Sequence, residues 1–116
     1  MSSEKPPALN DASLIYVGFN SRIAALHRAT GALTWSWKAR KGHGYVSLLQ
    51  VGPQLFASVS GYTYCLDAAT GGELWNNPLI GFGTGVSCLA TETGSTAHFA
   101  ALAEELLRAA QRAAST

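Results

Sequence analysis

Apolar residues in the first three quarters of the chain come in short runs that are separated by glycine-containing turns. Seven of these runs are rich in β-branched and aromatic residues, which is typical of strands: 14–18, 22–27, 33–38, 45–51, 55–60, 62–67 and 73–76. An eighth run begins at Val86 and ends at Thr91. The pattern predicts a mainly β chain in which Thr30-Gly31 and Thr70-Gly71 form turns.

The same pattern is written twice, forty residues apart. The sequence ALHRATGALTW at 25–35 aligns with CLDAATGGELW at 65–75. A period near forty that is built from short strands is typical of β-propeller blades, each of which is a four-stranded sheet. We therefore expect two four-stranded propeller blades in residues 11–93, preceded by a flexible N-terminal arm at residues 1–10.

The strands follow one another in a permuted order. By the propeller convention, strands 45–51 and 86–91 are innermost, and the strands that end at Trp35 and Trp75 are outermost. The first blade therefore lacks its inner strand, and strand 86–91 lacks a blade. An unpaired strand exposes its ladder groups, and pairing with the first blade of another molecule removes that exposure.

This order predicts a homo-oligomer of three or four chains, closed into a propeller by strand exchange through residues 86–91. The alternative is that the chain is a fragment of a longer propeller, in which case a C-terminal helix has no clear purpose.

That helix is predicted at residues 95–114, where alanine and leucine dominate and Ser95-Thr96 can cap the first turn. Its apolar residues form one stripe, which is expected to dock on the propeller rim because isolated helices are marginal in water. Contact between helices of different subunits is the alternative. The stripe consists of Phe99, Leu102, Leu106, Ala109 and Ala113.

The pattern Ala-x-Asp-x-x-Thr-Gly-x-x-x-Trp resembles the pyrroloquinoline quinone repeats of quinoprotein-type propellers, and the resemblance covers residues 14–93. The two copies depart from it at Cys65, which replaces alanine, and at His27, which replaces aspartate and is taken as structural. The resemblance implies that Trp35 and Trp75 lie between adjacent blades with their N–H groups on carbonyls. The structural docking residues would be Ala25, Thr30, Gly31, Trp35, Cys65, Asp67, Thr70, Gly71 and Trp75.

Composition narrows the function classes. The formal net charge is +1 and 13% of the residues are charged, so no overall field favours nucleic acid or an anionic membrane surface. The longest apolar runs are shorter than a membrane span, and the start of the chain lacks the apolar core of a signal peptide. A cytoplasmic location is expected.

Cys65 and Cys88 have no CxxC spacing and are interpreted as buried free thiols.

Catalysis has little support in the sequence. Dehydrogenases of the resembling family hold pyrroloquinoline quinone and calcium, and they resemble one another in an adjacent cysteine pair, a set of calcium-binding carboxylates and an export signal. None of these stands in this chain, so no catalytic residue, metal or cofactor is expected. A quinone- or metal-dependent oxidoreductase subunit that uses the central funnel is the alternative.

A binding face is the better expectation. The loops at 38–45 and 76–85 should share one face with the turns at 19–22 and 60–61, and symmetry would repeat their donors and aromatics around a ring. A small anionic or sugar-like ligand would suit such a face, and the simpler alternative is a set of solvated loops. The candidate residues are Arg22, Lys41, His43, Tyr45, Asn77 and Phe82.

Overall fold

The computed structural model describes residues 13–92 and 94–114. The arm predicted at residues 1–10 lies outside these residues. Nine strands and one helix form in the described part: β1 (Leu14–Phe19), β2 (Arg22–His27), β3 (Leu33–Lys38), β4 (Val46–Val51), β5 (Gln54–Val59), β6 (Tyr62–Asp67), β7 (Glu73–Asn77), β8 (Ala90–Thr91), β9 (Gly94–Ser95) and α1 (Ala97–Ala114).

Two antiparallel sheets contain the first seven strands. The first sheet has the order β1-β2-β3, and the second has the order β4-β5-β6-β7. The mainly β class, the division into two sheets and the C-terminal helix are thus confirmed. The first sheet has three strands and the second has four, as the permuted strand order predicts.

The strand predicted at residues 86–91 is only partly present. Ala90 and Thr91 form β8, which pairs with β9 in a short hairpin. Residues 86–89 have no strand pairing within the described residues. The physical reason is that a strand forms only where a second backbone runs alongside and pairs with it, which the residues of one segment do not specify by themselves.

Both sheets carry the same irregularity. The register between β2 and β3 shifts between Ala25 and Leu26, and the register between β6 and β7 shifts between Cys65 and Leu66. These positions are forty residues apart, so the repeated sequence folds the same way twice. A bulge of this kind re-aims the side chains that follow it. Here it leaves Trp35 opposite Ala25 and, in the second copy, Trp75 opposite Cys65.

The core lies between the two sheets. β1 approaches β4 closely at Gly18, where an added Cβ would lie 3.0 Å from the Cβ of Val46. Burying an Ile or Leu side chain contributes roughly 1.5–3 kcal/mol, so this layer supplies most of the apolar stabilisation. The inner faces contribute Ile23, Ala25 and Trp35 from the first sheet, and Val46, Leu55, Ala57, Val59, Tyr64 and Leu66 from the second.

Helix α1 buries little of its own surface. The described side chains from Ala101 to Ala113 are exposed, except that Ala103 is half-buried. The expected docking of the apolar stripe on the rim is therefore absent from these residues, and the side chain of Phe99 lies outside those described. Within the described residues, no helix combines the length and apolarity that crossing a membrane requires.

We expect Gly71→Ala to destabilise the fold more than Gly52→Ala. An added Cβ at Gly71 would lie 2.5 Å from the ring of Trp35, and the backbone there is left-handed with φ +79°. The clash and the left-handed backbone together should cost roughly 2–4 kcal/mol. Gly52 is left-handed with φ +57° but has open space among the described residues, so the same change should cost about 1–2 kcal/mol. Urea unfolding at matched protein concentration measures both, and equal losses would contradict the packing role of Gly71.

Candidate functional site

The contact between the two sheets centres on Trp35. Its ring covers Gly71, and its indole N–H donates to the carbonyl of Ala68 over 3.1 Å. Tyr16 donates its hydroxyl to the same carbonyl over 3.0 Å. Trp35 is 9% exposed. This one carbonyl therefore anchors two aromatic side chains of the neighbouring sheet, which fixes how the sheets face each other.

The turn that receives Trp35 has a local cause. Asp67 accepts the amide N–H of Ala69 with its carboxylate, and Thr70 accepts that of Gly72 with its hydroxyl. Gly71 supplies the left-handed backbone at φ +79°. Short polar side chains that bond to nearby amides hold such turns without help from the sheet.

The first copy of the motif builds the same turn. Gly31 also has φ +79°, and Thr30 accepts the amide N–H of Ala32 over 3.2 Å. His27 replaces the carboxylate, because its Nδ1 accepts the amide N–H of Ala29 over 3.3 Å. The histidine that interrupts the motif thus performs the bonding role of Asp67.

Trp75, by contrast, is 46% exposed. It lies on the outer face of the second sheet beside Phe56, with ring centroids 6.0 Å apart and an interplanar angle of 46°. The equivalent pair in the first sheet, Tyr16 and Trp35, has values of 5.9 Å and 41°. Both tryptophans therefore hold the same orientation, although one is covered and the other is open.

Among the described residues, the outer face of the first sheet is apolar and has no cover. Ile15 and Val17 are exposed on it, and Phe19 and Leu33 are each 64% exposed. The forty-residue equivalents of Ile15 and Val17 are Leu55 and Ala57, which are fully buried in the second sheet. An exposed apolar patch of this kind is typical of interaction surfaces.

The segment after residue 85 crosses the outer face of the second sheet. Ser87 donates its hydroxyl to that of Ser58, and the hydroxyls of Thr96 and Ser47 share a hydrogen bond of 2.8 Å. Thr96 also accepts the amide N–H of Leu89 over 2.8 Å. Sequence reasoning missed this buried hydroxyl network, in which Ser47 of β4 and Ser58 of β5 are cross-strand partners.

Several turns meet at one end of the two sheets. The β1–β2 turn has positive φ at Asn20 and Ser21, and the β5–β6 turn has positive φ at Ser60 and Gly61, as two-residue hairpin turns require. Ser21 accepts the amide N–H of Gly44 with its hydroxyl over 3.0 Å. Ser60 accepts that of His43 over 3.0 Å. The loop after β3 is thus tied to both turns.

The predicted binding residues spread over this end instead of converging. Lys41 and Asn77 line one shallow groove of about 190 Å³. Arg22 and His43 are exposed, and Phe82 is 80% exposed on the loop after β7. Tyr45 is half-buried, and burial raises the pKa of its phenol. The groove itself is lined by Arg40, Lys41, Tyr62, Thr63, Tyr64, Asn76, Asn77 and Pro78.

An ion pair that sequence reasoning missed shapes the groove. Arg40 donates through both terminal nitrogens to the two carboxylate oxygens of Glu73, over 2.8 and 2.9 Å. Its guanidinium also lies 5.8 Å from the ring centroid of Tyr64. The hydrogen bonds from Arg40 lower the pKa of Glu73, and a bond from Asn76 adds to this, against an opposing effect of burial. The partners lie 33 residues apart, so no local pattern signals the pair.

The described residues assemble no cluster of His, Cys, Asp and Glu side chains for a metal, and their two cysteines lie in different environments. In residues 13–92 and 94–114, no three His, Cys, Asp or Glu side chains could hold a metal ion. Cys65 is buried, and burial raises the pKa of its thiol. Cys88 is exposed, so the prediction that both thiols are buried is wrong for Cys88. A cluster of carboxylates of the kind that accompanies pyrroloquinoline quinone is thus not gathered in the described residues.

The comparisons with known proteins leave the family open. A scan against protein-family models finds no match for the chain. A search of the curated proteins finds none either. The resemblance to the pyrroloquinoline quinone repeats rests on the repeated motif and stays a prediction.

We expect the stability that Glu73 provides to depend on pH. Its folded pKa lies below its unfolded value of about 4.3, so the carboxylate stabilises the fold above that pH. This stability is lost as the pH falls through the folded pKa. Urea unfolding should therefore show wild type more stable than Glu73→Gln at pH 7, with a difference that shrinks towards pH 3.

The control removes Arg40, the ion-pair partner of Glu73. In an Arg40→Gln background, the effect of Glu73→Gln should be smaller and should change less with pH, since the main cause of the lowered pKa is gone. An unchanged pH profile in that background would show that Arg40 is not the cause.

Proposed function

We propose that this chain is a quinoprotein-like repeat protein that assembles with copies of itself into a closed, non-catalytic β-propeller, as a scaffold or ligand-binding module. The carrying observation is the pair of open faces. Positions equivalent to the buried Leu55 and Ala57 are exposed on the first sheet, and Trp75 is exposed on the second. Among the described residues, the first sheet has no cover over this face, and the segment after residue 85 covers the second sheet at Ser47 and Ser58 but not at Trp75.

Head-to-tail association suits these two faces. The surfaces differ from each other, so a contact between them is heterologous and forms a ring if the rotation closes. Three or four chains would give six or eight blades, within the range of about four to eight that propellers use. Free thiols at Cys65 and Cys88 fit a reducing compartment, and we place the assembly in the cytoplasm.

Strand exchange through residues 86–91 would complete each first blade. Val46 of β4 lies against Gly18 of β1 at the contact between the sheets. The equivalents at an offset of forty are Val86 and Ser58, and the segment indeed contacts Ser58 through Ser87. The segment therefore crosses the second sheet close to where the inner strand of a following blade would lie.

The register of the exchange follows from the repeat. Leu48 of β4 lies opposite Ala57 of β5. Their equivalents are Cys88 and Val17, so Cys88 of one copy would lie opposite Val17 of the next. Facing residues in antiparallel pairs have Cα atoms about 4.5–5.5 Å apart, a distance that a disulfide can span.

A ring would also repeat the turn end of the sheets around its axis. Lys41 and Arg22 would then recur once per chain, together with the groove that Lys41 and Asn77 line. Such a cationic ring suits a small anionic or sugar-like ligand. Nucleic acid and membranes are not proposed as partners.

We expect native mass spectrometry of the full chain to give one closed species of three or four copies. A truncation that removes residues 86–116 should yield monomers, because the exchanged segment is lost. A truncation that removes only residues 97–116 should keep the ring. A stable monomer at working concentration would contradict the proposal and favour docking on further repeats of a longer chain.

We expect Val17→Cys to form an intermolecular disulfide with the native Cys88 on mild oxidation. Non-reducing electrophoresis should show a covalent ladder that ends at the ring size. Ala24→Cys is the matched control, because Ala24 lies opposite Val17 on the next strand, about 4.8 Å further from the exchanged segment. Adding Cys88→Ser to Val17→Cys should abolish the ladder. Equal cross-linking of the two cysteine variants would contradict this register.

A further inference from the structure

We infer that the groove between the loop after β3 and strands β6 and β7 binds one small monoanionic sugar per chain, a uronate, whose carboxylate is received by Lys41. This inference deepens the ligand-binding part of the proposed function, and it does not need a closed ring because every lining residue belongs to one chain. The groove has a volume of about 190 Å³, below the roughly 300–1,000 Å³ of sites for drug-sized ligands. Its occupant is therefore a single sugar ring.

The charge of the groove matches one negative charge. Arg40 and Lys41 line it, and none of the described residues that line it is a carboxylate. Glu73 neutralises Arg40 through the bonds to both of its carboxylate oxygens. No carboxylate of the described residues forms an ion pair with the exposed Lys41. One net positive charge remains, which a carboxylate balances and which a phosphate monoester, with a charge of about −1.5 to −2 at pH 7, exceeds.

The charged residues of the groove are positioned by other parts of the chain. Tyr64 donates its hydroxyl to the Lys41 carbonyl over 3.2 Å, and the same hydroxyl accepts the Lys41 amide N–H over 3.2 Å. Tyr64 is 3% exposed, so the backbone of Lys41 is attached to the core. Arg40 is held by its two bonds to Glu73. A site whose groups are supported in this way loses less conformational entropy when a ligand binds.

Two neighbouring amides give the groove an acceptor and a donor. Asn76 donates its NH2 group to Glu73 over 2.9 Å, so its oxygen remains an acceptor. Asn77 accepts the Leu79 amide N–H with its oxygen over 2.8 Å, so its NH2 group remains a donor. A sugar hydroxyl both donates and accepts, and it therefore suits such a pair. The half-buried Tyr62 also lines the groove and adds an aromatic side chain against which the C–H face of a sugar ring can pack.

The experiment titrates the full-length chain with sodium glucuronate at constant ionic strength and follows the indole N–H resonances by NMR. Trp37 is the local probe, because it donates to Glu73 and its ring centroid lies 4.7 Å from that of Tyr64. Its resonance should shift and saturate with a dissociation constant in the millimolar range, as the size of the ligand allows. Glucose, which lacks the charge, and acetate, which lacks the ring, should each bind at least about fivefold more weakly.

A first pair of variants tests the cation. Lys41→Gln keeps the backbone bonds to Tyr64 but removes the ammonium group, and it should raise the dissociation constant for glucuronate at least about fivefold. Lys38→Gln removes the same charge from a lysine that is also exposed but does not line the groove. It should leave the dissociation constant within about twofold, because salt screens charges that lie outside the site.

A second pair tests the amide donor. Asn77→Asp keeps an oxygen for the Leu79 amide but replaces the donor by a negative charge, so it should raise the dissociation constant at least about tenfold. Asn20→Asp adds the same charge in the β1–β2 turn, outside the lining of the groove. Aspartate tolerates the left-handed backbone at that position, and the dissociation constant should stay within about twofold.

Several results would overturn the inference. Equal affinities for glucuronate and acetate would mean an unspecific contact with anions, and equal affinities for glucuronate and glucose would mean that the charge is not recognised. Tighter binding of glucose 6-phosphate than of glucuronate would overturn the assignment of a carboxylate. The absence of a saturable shift of Trp37 at tens of millimolar, or equal effects within either pair of variants, would overturn the site itself.

Native mass spectrometry of the same samples separates this inference from the proposed assembly. A wild type that is monomeric and binds glucuronate would overturn the closed ring and leave the groove as the binding site. A closed ring that does not bind glucuronate would overturn only the groove.

Discussion

One contact sets the arrangement of the two sheets: the indole of Trp35 lies on the turn at Gly71 and donates to the carbonyl of Ala68. It requires a ring with an N–H, a turn without a Cβ and a carbonyl held towards the ring. The left-handed glycine supplies the turn without a Cβ, and the side chain of Asp67 helps to hold the turn that presents the carbonyl. The apolar layer then adds stability to a geometry that this contact has fixed.

The two ends of the eleven-residue motif serve different neighbours. In the second copy, the turn receives Trp35 from the preceding sheet, while Trp75 points away from it on the outer face. In the first copy, Trp35 packs on the turn at Gly71 of the second sheet, and the turn at Gly31 has open space among the described residues. Two copies therefore make one complete contact and leave one half of a contact at each end. This is the physical basis for proposing that the chain continues its own pattern with further copies.

The repeat made most of the fold predictable, because glycine-containing turns and alternating apolar positions determine where each strand begins and ends. The strand predicted at residues 86–91 forms only at Ala90 and Thr91, since strand pairing depends on which backbone lies alongside and no local pattern specifies that backbone. In the candidate site, chain order placed the loops at one end of the sheets. It could not reveal the bond between Arg40 and Glu73, which joins the loop after β3 to the first residue of β7 in the other sheet.

The hydroxyl network around Thr96 explains how a segment without strand pairing can still be held in place. Ser47 and Ser58 are buried and fix the segment through Thr96 and Ser87, while the β8–β9 hairpin turns its end. A neighbouring copy would then add three strands to a strand that is already positioned. The entropic cost of ordering that segment, about 1–2 kcal/mol per residue, would then arise during folding and would not weaken association. If the proposed strand exchange occurs, these serines and Thr96 would hold the segment ready for the neighbouring copy.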